Sequence, residues 1–418
     1  MRVRVRKGRG APVISVPSSK SLSHRALIAA ALADGISHLH NVAENDDTLA
    51  TAEALKLLGA QIERKEPGEY QVRGIQDFNY YQGEAIDCNQ SGSTLRFLIP
   101  IFAHSGRLCR FKGQGRLMER PQTVYEGLFA TFEREEGQLK VQGNLAGGDY
   151  RLRGDISSQF ITGLLFVLPL LDKDSRLEIT EPFESRSYVI LTIEILKRAG
   201  IEIEMKDNVI FIPGRQKYQP FDYRVDGDDS QAAFFICYSL MSRQPLTVEG
   251  ISHDSRQGDH VILELAERFG GELRETENGY AVIPNELKAI EADLADCPDL
   301  GPILFACAGL AEGTSHFVNI SRLRIKESDR LAAMQRELAK LGIEMCYDEN
   351  DSWVKGVKTI REGITVNSHD DHRIAMALSV LAGCSEQGVI IEGCEAVAKS
   401  YPGFYEDINR GLMEVDCL

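Results

Sequence analysis

Six times along this chain, at intervals of roughly 70 residues, a Ser- or Asp-rich polar cluster runs straight into an apolar stretch of helical character. The clusters are Pro17–Arg25, Gln90–Arg96, Asp155–Gln159, Asp226–Gln231, Asp296–Asp299 and Asp370–Arg373. Runs rich in small residues follow them, such as Ala26–Ala33, Phe160–Leu171 and Ile374–Leu381. This pattern marks helices whose first turn is polar and whose body is buried. A helix start carries free N–H groups and partial positive charge, so it suits an anion. Three of the six starts also carry Lys or Arg. The six together predict a ring of helix starts around a highly anionic ligand.

A second signal repeats with the first. A leucine one turn ahead of a glycine, then alternating residues, occurs at Leu55–Ile62, Leu196–Ile203, Leu265–Leu273 and Leu338–Met345. Phe129–Leu139 reads as a degraded copy. Helix, turn and strand follow from this order. Each repeat then holds about two helices and several strands, too much for a solenoid and too little for a domain. Packing three and three gives an α/β protein of two domains, as 418 residues also imply. The polar, Pro-containing stretch Pro213–Tyr223 is a candidate boundary.

Composition narrows the function. The net charge of −15 argues against nucleic acid as a partner. An acidic protein that binds an anion must concentrate its cations in one cleft. No apolar run is long enough to span a membrane. The basic Met1–Gly10 segment leads into no apolar signal and reads as a strand with one wet face. The nine cysteines form no CxxC pair, and Cys237, Cys307 and Cys384 sit in apolar surroundings. They read as reduced core thiols of a cytoplasmic protein. Neither they nor the nine histidines show metal-ligand spacing, so no metal is expected.

Individual residues are ambiguous. Lys20 and Arg25 fit a Lys just before a helix and an Arg in its first turn, as anion ligands or solvated charges. Ser19, Ser21 and Ser23 can be simple caps. Arg96 and Arg120 lie near glycines, Arg120 within the Gly-rich stretch Gly113–Pro121, which reads as a mobile binding loop. Ile325–Arg330 opens a helix with apolar positions Leu331, Met334, Leu338 and Leu341; Glu327 could pair with Lys326 and Arg330. Asp299 is a candidate base or an N-cap. His372 sits at a helix start, where its cationic form is disfavoured. Lys399, before a Pro turn, is by default a surface lysine.

In order and spacing, V-P-S-S-K-S-L-S-H-R-A-L, S-G-S-T-L-R, G-R-L-M-E-R-P-Q, S-S-Q-F-I-T-G-L-L, S-R-S-Y, G-D-D-S-Q-A-A-F-F, D-L-G-P, I-K-E-S-D-R, D-D-H-R-I-A-M-A and A-K-S-Y-P-G-F resemble the 5-enolpyruvylshikimate-3-phosphate synthases. The likeness runs from about Val13 to Asp407. It implies a two-domain inside-out α/β barrel, each domain three βαβαββ repeats. Residues 1–18 with 225–418 would form one domain and 19–224 the other, with the active site in the cleft between them. The implied reaction converts shikimate 3-phosphate and phosphoenolpyruvate to 5-enolpyruvylshikimate 3-phosphate and phosphate through a tetrahedral intermediate, in aromatic amino-acid biosynthesis, and needs no metal or organic cofactor. Two anions held side by side need cations to offset their repulsion.

Carried over by position, the resemblance assigns Arg25, Ser157, Ser158, Gln159 and Ser185 to the shikimate phosphate, Gln159 also lying against the ring. Ser21 and Asp299 go to the shikimate hydroxyls, and Lys326 to the shikimate 3-phosphate side. Lys20, Gly92, Arg120, Gln159, Arg330, Arg373 and Lys399 go to phosphoenolpyruvate. Asp299 and Glu327 are the proton-transfer pair; Lys20 and His372 complete the catalytic set. Gln90, Ser18, Arg322 and Gln231 depart from residues frequent in the family. A monomer with only small-molecule anionic partners, no nucleic acid and no membrane is expected. The rival readings are the sister transferase acting on UDP-N-acetylglucosamine, which carries a loop Cys absent from Gly113–Pro121, and a silent anion-binding protein on the same fold.

Overall fold

The computed structural model describes residues 1–10, 12–143 and 145–418. Its strands form six four-stranded sheets of one topology. In the third repeat, Asp149–Arg153 runs parallel to Ser175–Thr180, which runs antiparallel to Val209–Ile212, itself paired with Glu204–Lys206. The spatial order of the four strands is first, second, fourth, third. The parallel pair needs a helical crossover, supplied by Ser158–Val167, and the last two strands close as a hairpin. A second helix, Arg186–Arg198, lies between. This is the βαβαββ unit.

Three sheets borrow strands from distant chain. Asp222–Arg224 pairs with Ile36–His40, and Val13–Ser15 with Leu246–Glu249. The N-terminal Arg2–Lys7 strand sits between Val389–Glu392 and Met413–Cys417. Its alternation works as the sequence predicts: Val3 and Val5 are buried and the arginines are not. The chain thereby divides into two compact units, Met1–Pro17 with Asp226–Leu418, and Ser18–Val225. The division falls just past the stretch Pro213–Tyr223 rather than within it, because the last residues of that stretch enter the closing strand of the first sheet of Ser18–Val225.

The first helix of each repeat is apolar nearly all round and is buried accordingly. These are Lys20–Leu32, Gly92–Ala103 and Ser158–Val167 in one unit, and Asp229–Ser242, Gly301–Ala308 and His372–Ala382 in the other. In one unit Asp229–Ser242, Gly301–Ala308 and His372–Ala382 contact one another; in the other Gly92–Ala103 packs on Ser158–Val167, and Lys20–Leu32 packs on Asp46–Leu57 and Arg186–Arg198. The sheets cover them with one face wet. The second helices are amphipathic. Arg330–Lys340 buries Leu331, Met334 and Leu338 and leaves its other side polar. Four of them end at glycines in the left-handed region, Gly59, Gly200, Gly270 and Gly342, as the repeated signal requires.

The second repeat departs. Phe129–Leu139 is not a worn helix end but a hairpin, Thr131–Glu135 with Gln138–Gln142. Where the other repeats have a second helix, this one has only two 3-10 turns, Leu117–Glu119 and Thr123–Tyr125. Gly113, Gly115, Pro121 and Gly127 interrupt any longer helix. The nine cysteines are free; Cys346 and Cys417 are exposed and so are not core thiols, whereas half-buried Cys384 packs against the core. Among the described residues, no helix is long and apolar enough to cross a membrane.

Gly163 lets two core helices touch. A Cβ there would lie 2.3 Å from Tyr125 Oη and 2.4 Å from the Arg96 carbonyl oxygen. The Tyr125 hydroxyl lies within hydrogen-bond distance of the Arg96 and Phe160 carbonyls, at 2.8 and 3.0 Å. Gly163→Ala should therefore destabilise the protein by about 1–3 kcal/mol through overpacking, read as a lower denaturant midpoint.

Candidate active site

Five of the six first helices begin with a polar side-chain cap. Ser19, Ser91, Ser157, Asp228 and Asp371 accept backbone N–H groups of Leu22, Thr94, Gln159, Gln231 and Arg373. The exception is Gly301–Ala308, entered through the 3-10 turn Pro298–Leu300 without a side-chain cap. Asp299 is thus not an N-cap, and its carboxylate serves something else.

In Ser18–Val225, Lys20 is the first residue of its helix and Arg25 lies in the second turn, one turn later than expected. Lys20 Nζ pairs with Asp47 Oδ2 at 2.8 Å. Arg25 is buried: Nε donates to Thr192 Oγ1 at 2.9 Å, Nη1 to the Ser21 carbonyl at 2.7 Å and Nη2 to the Tyr188 carbonyl at 3.0 Å. Burial lowers its affinity for the proton, to a pKa of about 10. Arg96, far from surface decoration, donates through Nη1 to Gln159 Oε1 at 2.7 Å and through Nη2 to the Pro121 carbonyl at 3.0 Å. Gln159 in turn donates to Ser93 Oγ at 3.0 Å. Arg120 is 7% exposed, and its Nε has no hydrogen-bond partner among the described residues. A Cβ on Gly92 would lie 3.0 Å from Arg120 Nη1. Glycine at 92 therefore lets this guanidinium lie against a helix start. Ser157 and Ser158 are buried at the start of Ser158–Val167, and Ser185 holds the N-cap of Arg186–Arg198 in a left-handed conformation.

The other unit gathers its predicted residues around two side chains. Arg330 is 1% exposed and meets three carboxylates. Nε pairs with Asp371 Oδ2 at 2.9 Å, Nη1 with Asp299 Oδ1 at 3.0 Å and Nη2 with Glu327 Oε2 at 2.9 Å. Burial works against its charge, but the three carboxylates together outweigh it and hold Arg330 protonated. Asp299 receives three cations: Arg330, Lys326 Nζ on Oδ1 at 3.2 Å and Arg373 Nη2 on Oδ2 at 3.0 Å. Arg373 also donates to Ser230 Oγ at 3.1 Å. Glu327 pairs with Arg330, whereas Lys326 turns to Asp299. Burial pushes the Lys326 ammonium down to about 8; Asp299 opposes this, and Arg322 and Arg330 add to it. Lys399 is not a surface lysine. It is 6% exposed and pairs with Asp370 Oδ1 at 3.1 Å. His372 is buried at the start of its helix.

Asp371 and Asp47 were not singled out as charge partners by the sequence. Both sit in Asp-Asp pairs at helix starts, which read as caps. Buried Ser230 likewise looks like ordinary cap chemistry.

A sequence profile of the family described as EPSP synthase (3-phosphoshikimate 1-carboxyvinyltransferase) matches residues 8–408. A 3-phosphoshikimate 1-carboxyvinyltransferase of Clostridium kluyveri is 43% identical over 410 residues, covering 96% of this chain and 95% of that one. The protein of the same name from Clostridium beijerinckii is 41% identical, covering 95% and 94%. A solved EPSP synthase from Acinetobacter baumannii superposes with a TM-score of 0.79 at 26% identity, over 100% of both chains. The enolpyruvyl transferase NikO of Streptomyces tendae, at 16% identity and a TM-score of 0.80 over 99% and 98%, shares the fold.

Asp371 compensates a buried guanidinium and caps a core helix. Asp371→Asn removes the charge and keeps the shape. It should cost about 3 kcal/mol, the low end for breaking a buried ion pair, because two carboxylates remain on Arg330. The shift in denaturation midpoint measures it.

Proposed function

The chain belongs to the EPSP synthase family and is a transferase, and on that premise we propose how its residues work. It moves the enolpyruvyl group of phosphoenolpyruvate to the 5-hydroxyl of shikimate 3-phosphate and releases phosphate. The observation that carries this reading is Asp299 held by Lys326, Arg330 and Arg373. That arrangement combines a carboxylate base with cations able to take a substrate carboxylate.

Arg330 and Arg373 hold the carboxylate of phosphoenolpyruvate, Arg330 with the planar fork that suits a two-oxygen acceptor. Lys20 and Arg120 hold its phosphate, Arg120 beside the N–H groups that open Gly92–Ala103. Lys399 adds a further cation. Ser157, Ser158, Ser185 and Arg25 bind the shikimate phosphate, Gln159 lies against the ring, and Ser21 and Asp299 take its hydroxyls. The working form on this reading is a monomer in the cytoplasm.

Asp299 accepts the proton of the 5-hydroxyl as that oxygen attacks C2 of phosphoenolpyruvate. Glu327 delivers a proton to the methylene carbon, giving a tetrahedral ketal that bears carboxylate and phosphate. The C–O bond to phosphate then breaks, the proton taken up by Asp299 leaves with the phosphate, a methyl proton returns to Glu327, and the enol ether forms. His372 is secondary. Lys20 and Arg120 stabilise charge on the departing phosphate.

Phosphate release with both substrates is the direct test. Release should need both, and replacing shikimate 3-phosphate by UDP-N-acetylglucosamine should abolish it; release with the sugar nucleotide instead would overturn the assignment. Lys20→Met and Arg120→Ala should each lower turnover at least about a hundredfold, since each leaves a phosphate unpaired. Lys326 supplies a pH limb. It is a cation below about 8 and neutral above, and an anion binds the cation. KM for shikimate 3-phosphate should therefore rise above that pH, and Lys326→Arg should flatten the rise.

A further inference from the structure

His369 and Asp370 stand consecutively in the left-handed region, at φ +53° and +55°. Two such residues in a row persist only where their surroundings over-determine them. They form the turn between the strand Thr365–Asn367 and the helix His372–Ala382. That turn decides where Asp370, Asp371 and Arg373 stand. On its active-site side, Lys399 Nζ donates to the Asp370 carbonyl and pairs with its carboxylate.

On its far side lies a carboxylate that the mechanism does not use. The Glu337 side chain is 0% exposed and is met by three donors. The Asn367 backbone N–H donates to Oε2 at 2.9 Å, Lys340 Nζ lies 2.6 Å from the same oxygen, and His369 Nε2 lies 2.8 Å from Oε1. These donors, His369 first among the side chains, outweigh the cost of burial and hold its pKa below the usual carboxylate value. Local bonds brace the turn further. The His369 N–H donates to Asn367 Oδ1 at 2.7 Å and the Asp370 N–H to Ser368 Oγ at 3.2 Å.

Glu337 and Arg330 lie on one helix, Arg330–Lys340, two turns apart and on the same face. The helix thus grips the turn at two points: Arg330 holds Asp371, and Glu337 holds Asn367 and His369. We propose that Glu337, acting through His369 and the Asn367 N–H, is a positioning residue that sets the left-handed turn presenting Asp370 to Lys399 and aiming Arg373. This rests on the reading that Arg373 and Lys399 hold phosphoenolpyruvate. Glu337 touches no ligand; it keeps the cations that do from having to be ordered at each binding event.

The test is full kinetics of Glu337→Gln, His369→Leu and Lys399→Ala, each substrate varied in turn, well below the melting temperature. Loss of a hydrogen bond to a charged group should raise KM for phosphoenolpyruvate about tenfold in Glu337→Gln and His369→Leu. KM for shikimate 3-phosphate should stay within about twofold, and the double variant should be less than additive. Equal rises in both KM values, or a fall in active enzyme with both unchanged, would mean a structural role only and overturn the proposal. His369 is half-buried, so His369→Leu keeps the test open should Glu337→Gln not fold. An unchanged KM for phosphoenolpyruvate in Lys399→Ala overturns the site reading and this proposal with it. A raised one beside unmoved Glu337 and His369 variants overturns the proposal alone.

Discussion

A guanidinium cannot stay charged out of water without compensation. The idealised cost of burying such an ion is of order 20 kcal/mol, and several kcal/mol remain after relaxation. Arg330 is buried and charged, and the carboxylates of Asp299, Glu327 and Asp371 surround it. Each comes from a different place in its unit: a 3-10 turn, the loop before the Arg330 helix, and the cap of a core helix. Local structure around Arg330 follows from that demand. Asp299 leaves the helix start without a side-chain cap, and Asp371 both caps a helix and neutralises a charge. The constraint reaches outward to Lys326 and Arg373, which share Asp299.

The repeat was legible because it rests on local chemistry. Polar caps before apolar runs, and glycines after leucines, produce the same helix, turn and strand wherever they occur. Ser19, Ser91, Ser157, Asp228 and Asp371 all cap as their positions require. What could not be read was non-local. Nothing near Arg2–Lys7 says that it enters a sheet between strands nearly 400 residues downstream. Pro213–Tyr223 looked like a linker because strand pairing with Ile36–His40 leaves no mark on its composition. The second repeat misled for another reason: glycines and a proline had removed a helix, and the hairpin behind it kept the alternation.

The site was legible by residue type and illegible by partner. Lys20, Arg120, Glu327 and Arg330 stand out as charges in polar clusters, but nothing in the sequence pairs Lys20 with Asp47 or Lys326 with Asp299. Lys399 shows the limit most plainly. Alone before a proline it reads as solvated, yet it is buried because an irregular turn sets the Asp370 carbonyl and carboxylate against it. Arg96 is similar: its partners Gln122, Gln159 and Pro121 lie 25 to 63 residues away.

Cations that are already buried and paired change the energetics of binding an anion. A carboxylate arriving at a solvated arginine must strip water from both partners, and much of the attraction is lost in doing so. Arg330 and Arg373 are already buried, and Asp299 pairs with one terminal nitrogen of each. On the proposed reading, a substrate carboxylate that takes those donors exchanges one ion pair for another, and little of the attraction is spent on fresh desolvation. On the proposed reading, the same exchange loosens Asp299 from its arginines as the substrate arrives. The base becomes available at the step that needs it, and Asp371, which touches no substrate, keeps Arg330 fixed while its other partners change.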